Sequence, residues 1–370
     1  MAPTKGKFRN ANFSFSSCIA DDVWHPNKPP GGYEWWYFDA LSDDGREAIV
    51  IIFLDNFIFS PRYNSLNRSL RKDPSSDVDR ESIPAVAFTY YRDGKPYYRS
   101  IIEYAPEDFS ADPEWPHGEI GKSNFHYDSA PYGSGYGVNV YADVGGGKRL
   151  SANFEWLSVE SDLTSSALAA DRTVPPGHSW NLVAPRSDVT GKILIENRRN
   201  ENSDEINFRG TGYHDHNLDT RWLPDAVAKW NWGRIHFSDA TAVFYDYHGC
   251  DPSEKCSKLY VIRDDTITQE DAEFEVLETG RDVFGLKYPK LFVVRAESGS
   301  DLVVEQKKVV DSSFFYTRFL CDASLSLNDQ VARNSCGLSE YLAPARLRNG
   351  WFDRLIDMRI SRAGKPSLLT

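Results

Sequence analysis

Two tryptophan-rich strand patterns, about half the chain apart, repeat one another, and no other feature limits the fold as strongly. The first runs Gly32-Tyr33-Glu34-Trp35-Trp36-Tyr37-Phe38-Asp39, turns at Ser42-Asp43-Asp44-Gly45, and continues as the apolar run Ala48 to Leu54. The second runs Trp230-Asn231-Trp232-Gly233-Arg234-Ile235-His236-Phe237, turns at Ser238-Asp239, and continues through Ala242-Val243-Phe244-Tyr245-Asp246-Tyr247. Aligning Trp36 with Trp232 gives an offset of 196 (232 minus 36), and both copies then place a turn serine six positions on. A duplicated aromatic hairpin implies two similar β domains, each with an aromatic-lined interior suited to a large apolar ligand.

At 370 residues the chain is too long for one ordinary core and fits two domains. Residues Thr220 to Asp225 separate the copies, which divides the chain into an N-terminal domain, 1–220, and a C-terminal domain, 221–370. Lys and Arg total 42 against 54 Asp and Glu, a formal charge of −12, which argues against nucleic acid or an anionic membrane as partner. The apolar run Ala48 to Leu54 is too short to span a membrane. The N-terminal residues hold no apolar stretch of signal-peptide length. With five scattered cysteines, an odd number, this points to reduced thiols and a cytoplasmic location.

Most segments alternate apolar and polar residues between Gly, Pro, Asp and Asn clusters, the pattern of strands and turns. Ala85 to Tyr91, Tyr97 to Tyr104, Tyr136 to Val144, Arg149 to Leu157, Leu259 to Arg263, Leu291 to Ala296 and Phe314 to Leu320 are read as strands. Arg92-Asp93-Gly94-Lys95 and Gly145-Gly146-Gly147-Lys148 are read as hairpin turns. Helical periodicity is scarce, with Asp162 to Asp171 and Arg348 to Met358 as the candidates. Two polar stretches, Asn64 to Pro84 and Ala105 to Pro131, read as long loops, either lids over a pocket or surface insertions. The expected fold is all-β, with few short helices.

Period-two geometry puts Glu34, Trp36 and Phe38 on one strand face, and Trp35, Tyr37 and Asp39 on the other. The 196 offset gives Trp230, Trp232, Arg234 and His236 the face equivalent to that of Glu34. A carboxyl among indoles loses hydration, so Glu34 is expected to have a raised pKa and serve as general acid. The alternative is an ion pair of Glu34 with Arg234 tying the halves together. Tyr213-His214-Asp215-His216-Asn217 is the densest polar cluster, with both histidines on one face and Tyr213, Asp215 and Asn217 on the other. No third ligand stands at a recognisable spacing, so no metal is expected. Asp215 or His216 reads as acid, base or hydrogen-bond partner, and a structural network is the competing reading. Phosphate-loop, dinucleotide and acyl-serine motifs are missing, so no cofactor is expected.

The segment Pro30 to Arg46, with Phe59-Ser60-Pro61-Arg62-Tyr63, resembles the hydroxyneurosporene synthase (carotenoid 1,2-hydratase) family. Matches continue at His178-Ser179-Trp180-Asn181, Gly212 to Asn217, Trp230 to Arg234, Phe315-Tyr316-Thr317-Arg318 and Ser339-Glu340-Tyr341-Leu342, nearly end to end. The resemblance implies two tandem lipocalin-like β-barrel or β-sandwich domains, a cavity near their junction, and cofactor-free chemistry on isoprenoids or polyenes. The wider superfamily includes fungal Diels–Alderases, some acting on tropolone-sesquiterpenoid intermediates. The family's Tyr-x-Asp-x-Asn segment is matched by Tyr213, Asp215 and Asn217, but the resemblance implies no histidines at 214 and 216, and their presence here leaves room for a reaction other than carotenoid hydration.

Three functions follow as expectations. The first is a cofactor-free cyclase of Diels–Alder or hetero-Diels–Alder type, with Glu34, Asp215, His216 and Arg234 as catalytic residues. Trp35, Trp36, Tyr37, Tyr213, His214, Asn217, Trp230, Trp232, Tyr245 and Tyr341 would bind the apolar substrate. The second is a hydratase adding water to a prenyl double bond. The third is a non-catalytic lipocalin-like carrier.

Overall fold

Eight antiparallel strands in the second half of the chain close on themselves. They are Val227–His236, Thr241–Gly249, Lys255–Arg263, Thr266–Arg281, Lys287–Ala296, Asp301–Ser312, Tyr316–Ser326 and Arg333–Leu342. The last pairs back onto the first, with Trp232 opposite Glu340, so the barrel leaves no open edge. Its interior is filled by side chains including Ile235, Phe244, Phe292, Leu302 and Leu325. The computed structural model describes residues 13–29, 31–73, 81–131, 133–144, 147–166, 177–197, 203–327, 332–363 and 365–368.

The first half forms one long sheet. From one flank to the other its strands are Lys95–Glu103, Ala85–Arg92, Glu47–Leu54, Tyr33–Ser42, Ser203–Asp219, His178–Asn197, Lys148–Glu160, Gly133–Asp143, Ser123–Ala130, His117–Ile120 and Phe109–Ala111. Phe13–Ser16 adds a parallel strand on His178–Asn197. The sheet curls until Ser100 Oγ donates to the Asp143 carbonyl at 3.3 Å, and it encloses Trp36, Phe38, Phe53, Phe125 and Trp156. A third apolar cluster lies between sheet and barrel and draws Trp35, Tyr37, Trp180, Trp230, Trp232 and Tyr245 from both. Among the described residues no helix is long and apolar enough to cross a membrane.

Several local expectations are corrected. The stretch from Asn64 belongs in part to an α-helix, Pro61–Lys72, rather than a loop; residues 74–80 lie outside the described set. Ser60 Oγ caps it by accepting the Arg62 and Tyr63 N–H groups, and Pro61 opens its first turn. Its inward face holds Asn64 and Asn67, which donate to backbone carbonyls, so no apolar stripe marks it. Ala105 to Pro131 is strand rather than loop, since it supplies the last three strands of the sheet. The described part of the Asp162 helix candidate, 162–166, is not helical, and Asp162 has φ +59°, which breaks a helix; residues 167–171 lie outside the described set. Within Arg348 to Met358 only Asp353–Asp357 is α-helical, after single 3₁₀ turns at Pro344–Arg348 and Gly350–Phe352. Asp93 and Gly94 form a tight hairpin turn with φ +51° and +66°, whereas Gly145 and Gly146 lie outside the described residues.

The equivalence of strand faces is also corrected. Glu34, Trp36 and Phe38 do point together, but into the sheet's own core, whereas Trp230, Trp232 and Arg234 face the junction. The facing pairs across the junction are Trp35 with Trp230 (ring centroids 6.1 Å apart), Tyr37 with Trp232 (5.4 Å), and Asp39 with Arg234. Their common offset is 195 (234 minus 39), one less than the sequence alignment implied. A one-residue slip in a period-two pattern exchanges the two faces completely.

Candidate active site

Tyr33–Ser42 pairs with Ser203–Asp219 so that Asp215 stands opposite Tyr37, and Asn217 opposite Trp35. Alternation turns these four side chains to the junction, and sends His214 and His216 to the sheet interior. The ladder between His178–Asn197 and Ser203–Asp219 is irregular between Asn181 and Ser187, beside Trp180, as ladders near functional sites often are.

A cavity of about 230 Å³ lies at the junction. The sheet contributes Trp35, Tyr37, Val50, Ile52 and Leu54, and the barrel contributes Trp230, Tyr316, Arg318 and Glu340. Phe57, Phe59, Phe315 and the C-terminal Ile356 and Ile360 complete an almost wholly apolar enclosure. A recess of about 30 Å³ shares Trp35, Tyr37, Trp230 and Glu340 with it, and adds Asp215, Asn217, Trp232 and Tyr245.

Asp215 is the recess's buried acid. Tyr213 Oη donates to its Oδ2 at 2.7 Å, Trp180 Nε1 donates to the same oxygen at 3.0 Å, and Asn217 Nδ2 donates to Oδ1 at 2.9 Å. With two donors on Oδ2 and one on Oδ1, Oδ1 keeps a lone pair that can carry a proton. Burial pushes the Asp215 pKa up to about 8. The Tyr213 and Trp180 hydrogen bonds oppose that rise, while the negative charges of Glu340 and Asp39 reinforce it. Glu340 Oε1 accepts from Arg318 Nε at 2.7 Å and from Tyr37 Oη at 3.3 Å. Tyr245 Oη lies 2.8 Å from His178 Nε2, and burial followed by the Arg221 charge lowers the His178 pKa to about 3, leaving it neutral.

Glu34 is different from its expected state. His25 Nδ1 and His216 Nε2 each lie 2.7 Å from its Oε1, and Lys28 Nζ lies 2.5 Å from its Oε2. Burial alone would raise the carboxyl, but Lys28, His25 and His216 reverse this and hold it well below the usual carboxylate range. Glu34 therefore carries no proton to give near neutral pH, and its partner is Lys28 rather than Arg234. His216 is pushed up to about 9: burial opposes its charge, but Asp22 and Glu34 overcome burial. His214 turns to Asp22 and the Tyr37 carbonyl, both at 3.0 Å, so the two histidines form no chelating pair. The ligand atoms of His25, Glu34 and His216 do lie within 4.8 Å of one another, a grouping that could hold a metal ion and that spacing alone did not reveal.

Among the residues singled out in the sequence, Trp35, Tyr37, Asp215, Asn217, Trp230, Trp232 and Tyr245 line the cavity or recess, with Tyr213 bonded behind Asp215. Glu34, Trp36, His214 and His216 lie behind the sheet, where Trp36 stacks on His216 with centroids 4.8 Å apart. Arg234 is held by Asp39, with Nε at 2.8 Å from Oδ1. Tyr341 alternates with Glu340 and Leu342, which face the junction, and so points away from the cavity. Trp180, Arg318 and Glu340 stand in the matched motifs but were not singled out. The first two directly bond a recess carboxyl, and the third is one.

A family model described as carotenoid hydratase CrtC matches residues 157–368, more than half of the chain and the span holding Trp180, Asp215, Arg318 and Glu340. The chain belongs to the carotenoid hydratase CrtC family. It is 26% identical over 363 residues to a hydroxyneurosporene dehydrogenase of Chlorobaculum tepidum, covering 94% of this chain and 92% of that protein. It is 28% identical over 229 residues to an acyclic carotenoid 1,2-hydratase of Rubrivivax gelatinosus, covering 59% of this chain and only 48% of that protein. Among solved structures, an AttH protein of Nitrosomonas europaea matches with TM-score 0.57 at 13% identity, covering 88% of this chain and 95% of that one. CghA with Sch210972 matches with TM-score 0.53 at 10% identity, covering 90% and 97%. These structural likenesses establish the fold, all-β and lipocalin-like in both parts. In this CrtC family member the apolar cavity suits an apolar small molecule, and the family points to an enzyme.

Proposed function

We propose that this protein is a hydratase that protonates a prenyl double bond with Asp215 and adds water to the resulting cation. The observation that carries the reading is a buried carboxyl, Asp215, that lines the recess of an aromatic-walled cavity and has its pKa pushed up to about 8. Such an acid is neutral at physiological pH and can donate a proton to an alkene carbon. Protonation at the less substituted carbon leaves a tertiary cation, which the faces of Trp35, Trp230 and Trp232 stabilise. Water then forms the C–O bond and loses its proton, and Asp215 is reprotonated, so alkene and water give an alcohol.

Two carboxyls with different environments support this division of labour. Asp215 is kept neutral by burial, while Glu340 accepts hydrogen bonds from Arg318 and Tyr37 and can take the water's proton. The cavity volume lies below that of drug-sized sites, so it takes a short isoprenoid or one end of a longer polyene. Each methylene buried there adds about 0.8 kcal/mol of binding.

Labelled-water turnover tests the reading against cyclisation. An acyclic carotene and farnesol are incubated with the protein in isotopically labelled water. Label retained in a new hydroxyl supports hydration. An unlabelled cyclic product makes the protein a cyclase, and binding with no rate enhancement makes it a carrier.

A further inference from the structure

The cavity wall carries one polar stripe. Trp232, Glu340, Arg318 and Asp311 stand opposite one another on four successive neighbouring barrel strands. Trp232 and Glu340 line the recess that holds Asp215, and with strands about 4.8 Å apart the row runs on about 10 Å beyond it. At its far end Asp311 takes Arg99 at 2.6 Å and Arg359 at 2.9 Å. Arg318 lies over the Tyr316 ring, 5.4 Å from its centroid.

Two hydroxyls beside this row are unexplained by a hydrocarbon ligand. Ser313 Oγ and Tyr316 Oη are buried in the cavity wall, and neither has a hydrogen-bond partner among the described residues. Buried hydroxyls are almost always paired. A pure hydrocarbon filling the cavity would exclude water and leave both orphaned. A ligand oxygen in the cavity can pair with these hydroxyls, and Arg318 lies over the Tyr316 ring beside them. Asp311 pairs with Arg99 and Arg359, and Glu340 with Arg318; one net positive charge remains, but no arginine lacks a carboxylate partner, so the unpaired hydroxyls favour a neutral oxygen.

We propose that the substrate is an oxygenated isoprenoid, whose neutral oxygen is held by Ser313 and Tyr316 while its distant alkene lies at Asp215. The proposal rests on Asp215 as the reacting end, and it fixes both the polarity of the substrate and its direction in the cavity.

Equilibrium binding of farnesol and of its deoxygenated hydrocarbon, followed by quenching of tryptophan fluorescence, tests it. The Asp215→Asn protein is used so that neither ligand is consumed. Farnesol is expected to bind about tenfold more tightly than the hydrocarbon. The combined Ser313→Ala and Tyr316→Phe substitutions are expected to bring the two ligands within about threefold. Equal or tighter binding of the hydrocarbon overturns the proposal, as does an alcohol preference that survives both substitutions. Either result leaves Asp215 as proton donor untouched, because binding is read without turnover. Conversely, normal turnover by Asp215→Asn would remove the donor and leave the oxygen subsite standing.

Discussion

Two carboxyls on neighbouring strands, both buried, are driven in opposite directions by what surrounds them. Asp215 meets indole and phenol donors but no cation in hydrogen-bond contact, and is pushed up to about 8; Glu34 meets Lys28 and two histidines, and is held low. Because the Tyr213 and Trp180 bonds favour the charged form, Tyr213→Phe and Trp180→Phe are each expected to move the alkaline limb of the pH–rate profile above pH 8. Glu34→Gln is expected to act on stability instead. It leaves Lys28 with Asp55 as its remaining carboxylate partner and takes the charge away from His25 and His216, at a cost of about 1–3 kcal/mol in chemical denaturation, while turnover per folded molecule stays within about threefold. His216 adds a pH signature. Its folded pKa of about 9 lies above the ordinary 6.5, so its contribution is complete below 6.5 and is lost as pH rises towards 9. His216→Gln should flatten stability across that window.

At the level of elements, the paired aromatic strands bind the two halves through Trp35 on Trp230, Tyr37 on Trp232, and Asp39 with Arg234. Arg234 and Asp39 are 1% and 0% exposed, so removing one partner strands a charge without water. Arg234→Met alone is expected to cost about 3–5 kcal/mol, and adding Asp39→Leu to recover most of it, as thermal denaturation of the three proteins would show. Strand alternation makes the β architecture, the duplicated hairpin and the split faces of Tyr213 to Asn217 readable in the sequence. The register between the copies was not readable, because one position of slip keeps the tryptophans aligned yet reverses every face. The helix Pro61–Lys72 escaped notice because buried Asn64 and Asn67 replace an apolar stripe. Trp180 and Glu340 meet the site only through long-range pairing, so nothing local marks them as partners of Asp215 and Arg318.

The cavity belongs to the whole molecule, since sheet, barrel and C-terminal segment each supply part of its wall. Separating the halves would expose the shared aromatic cluster to water. Calorimetry is therefore expected to show one cooperative transition rather than two, and two well-separated transitions would contradict a shared core. His214 and His216 lie behind the sheet and take no part in the cavity wall. The most direct measurement is the single-turnover rate against pH, on the prenyl alkene identified in labelled water, for wild type and Asp215→Asn. Asp215 carries its proton below its pKa of about 8, so the wild-type rate should be level below that pH and fall tenfold per unit above it. Asp215→Asn should be about 10²–10⁴-fold slower and lack that limb. An Asp215→Asn protein within about threefold of wild type, with the same profile, would show that the proton comes from elsewhere.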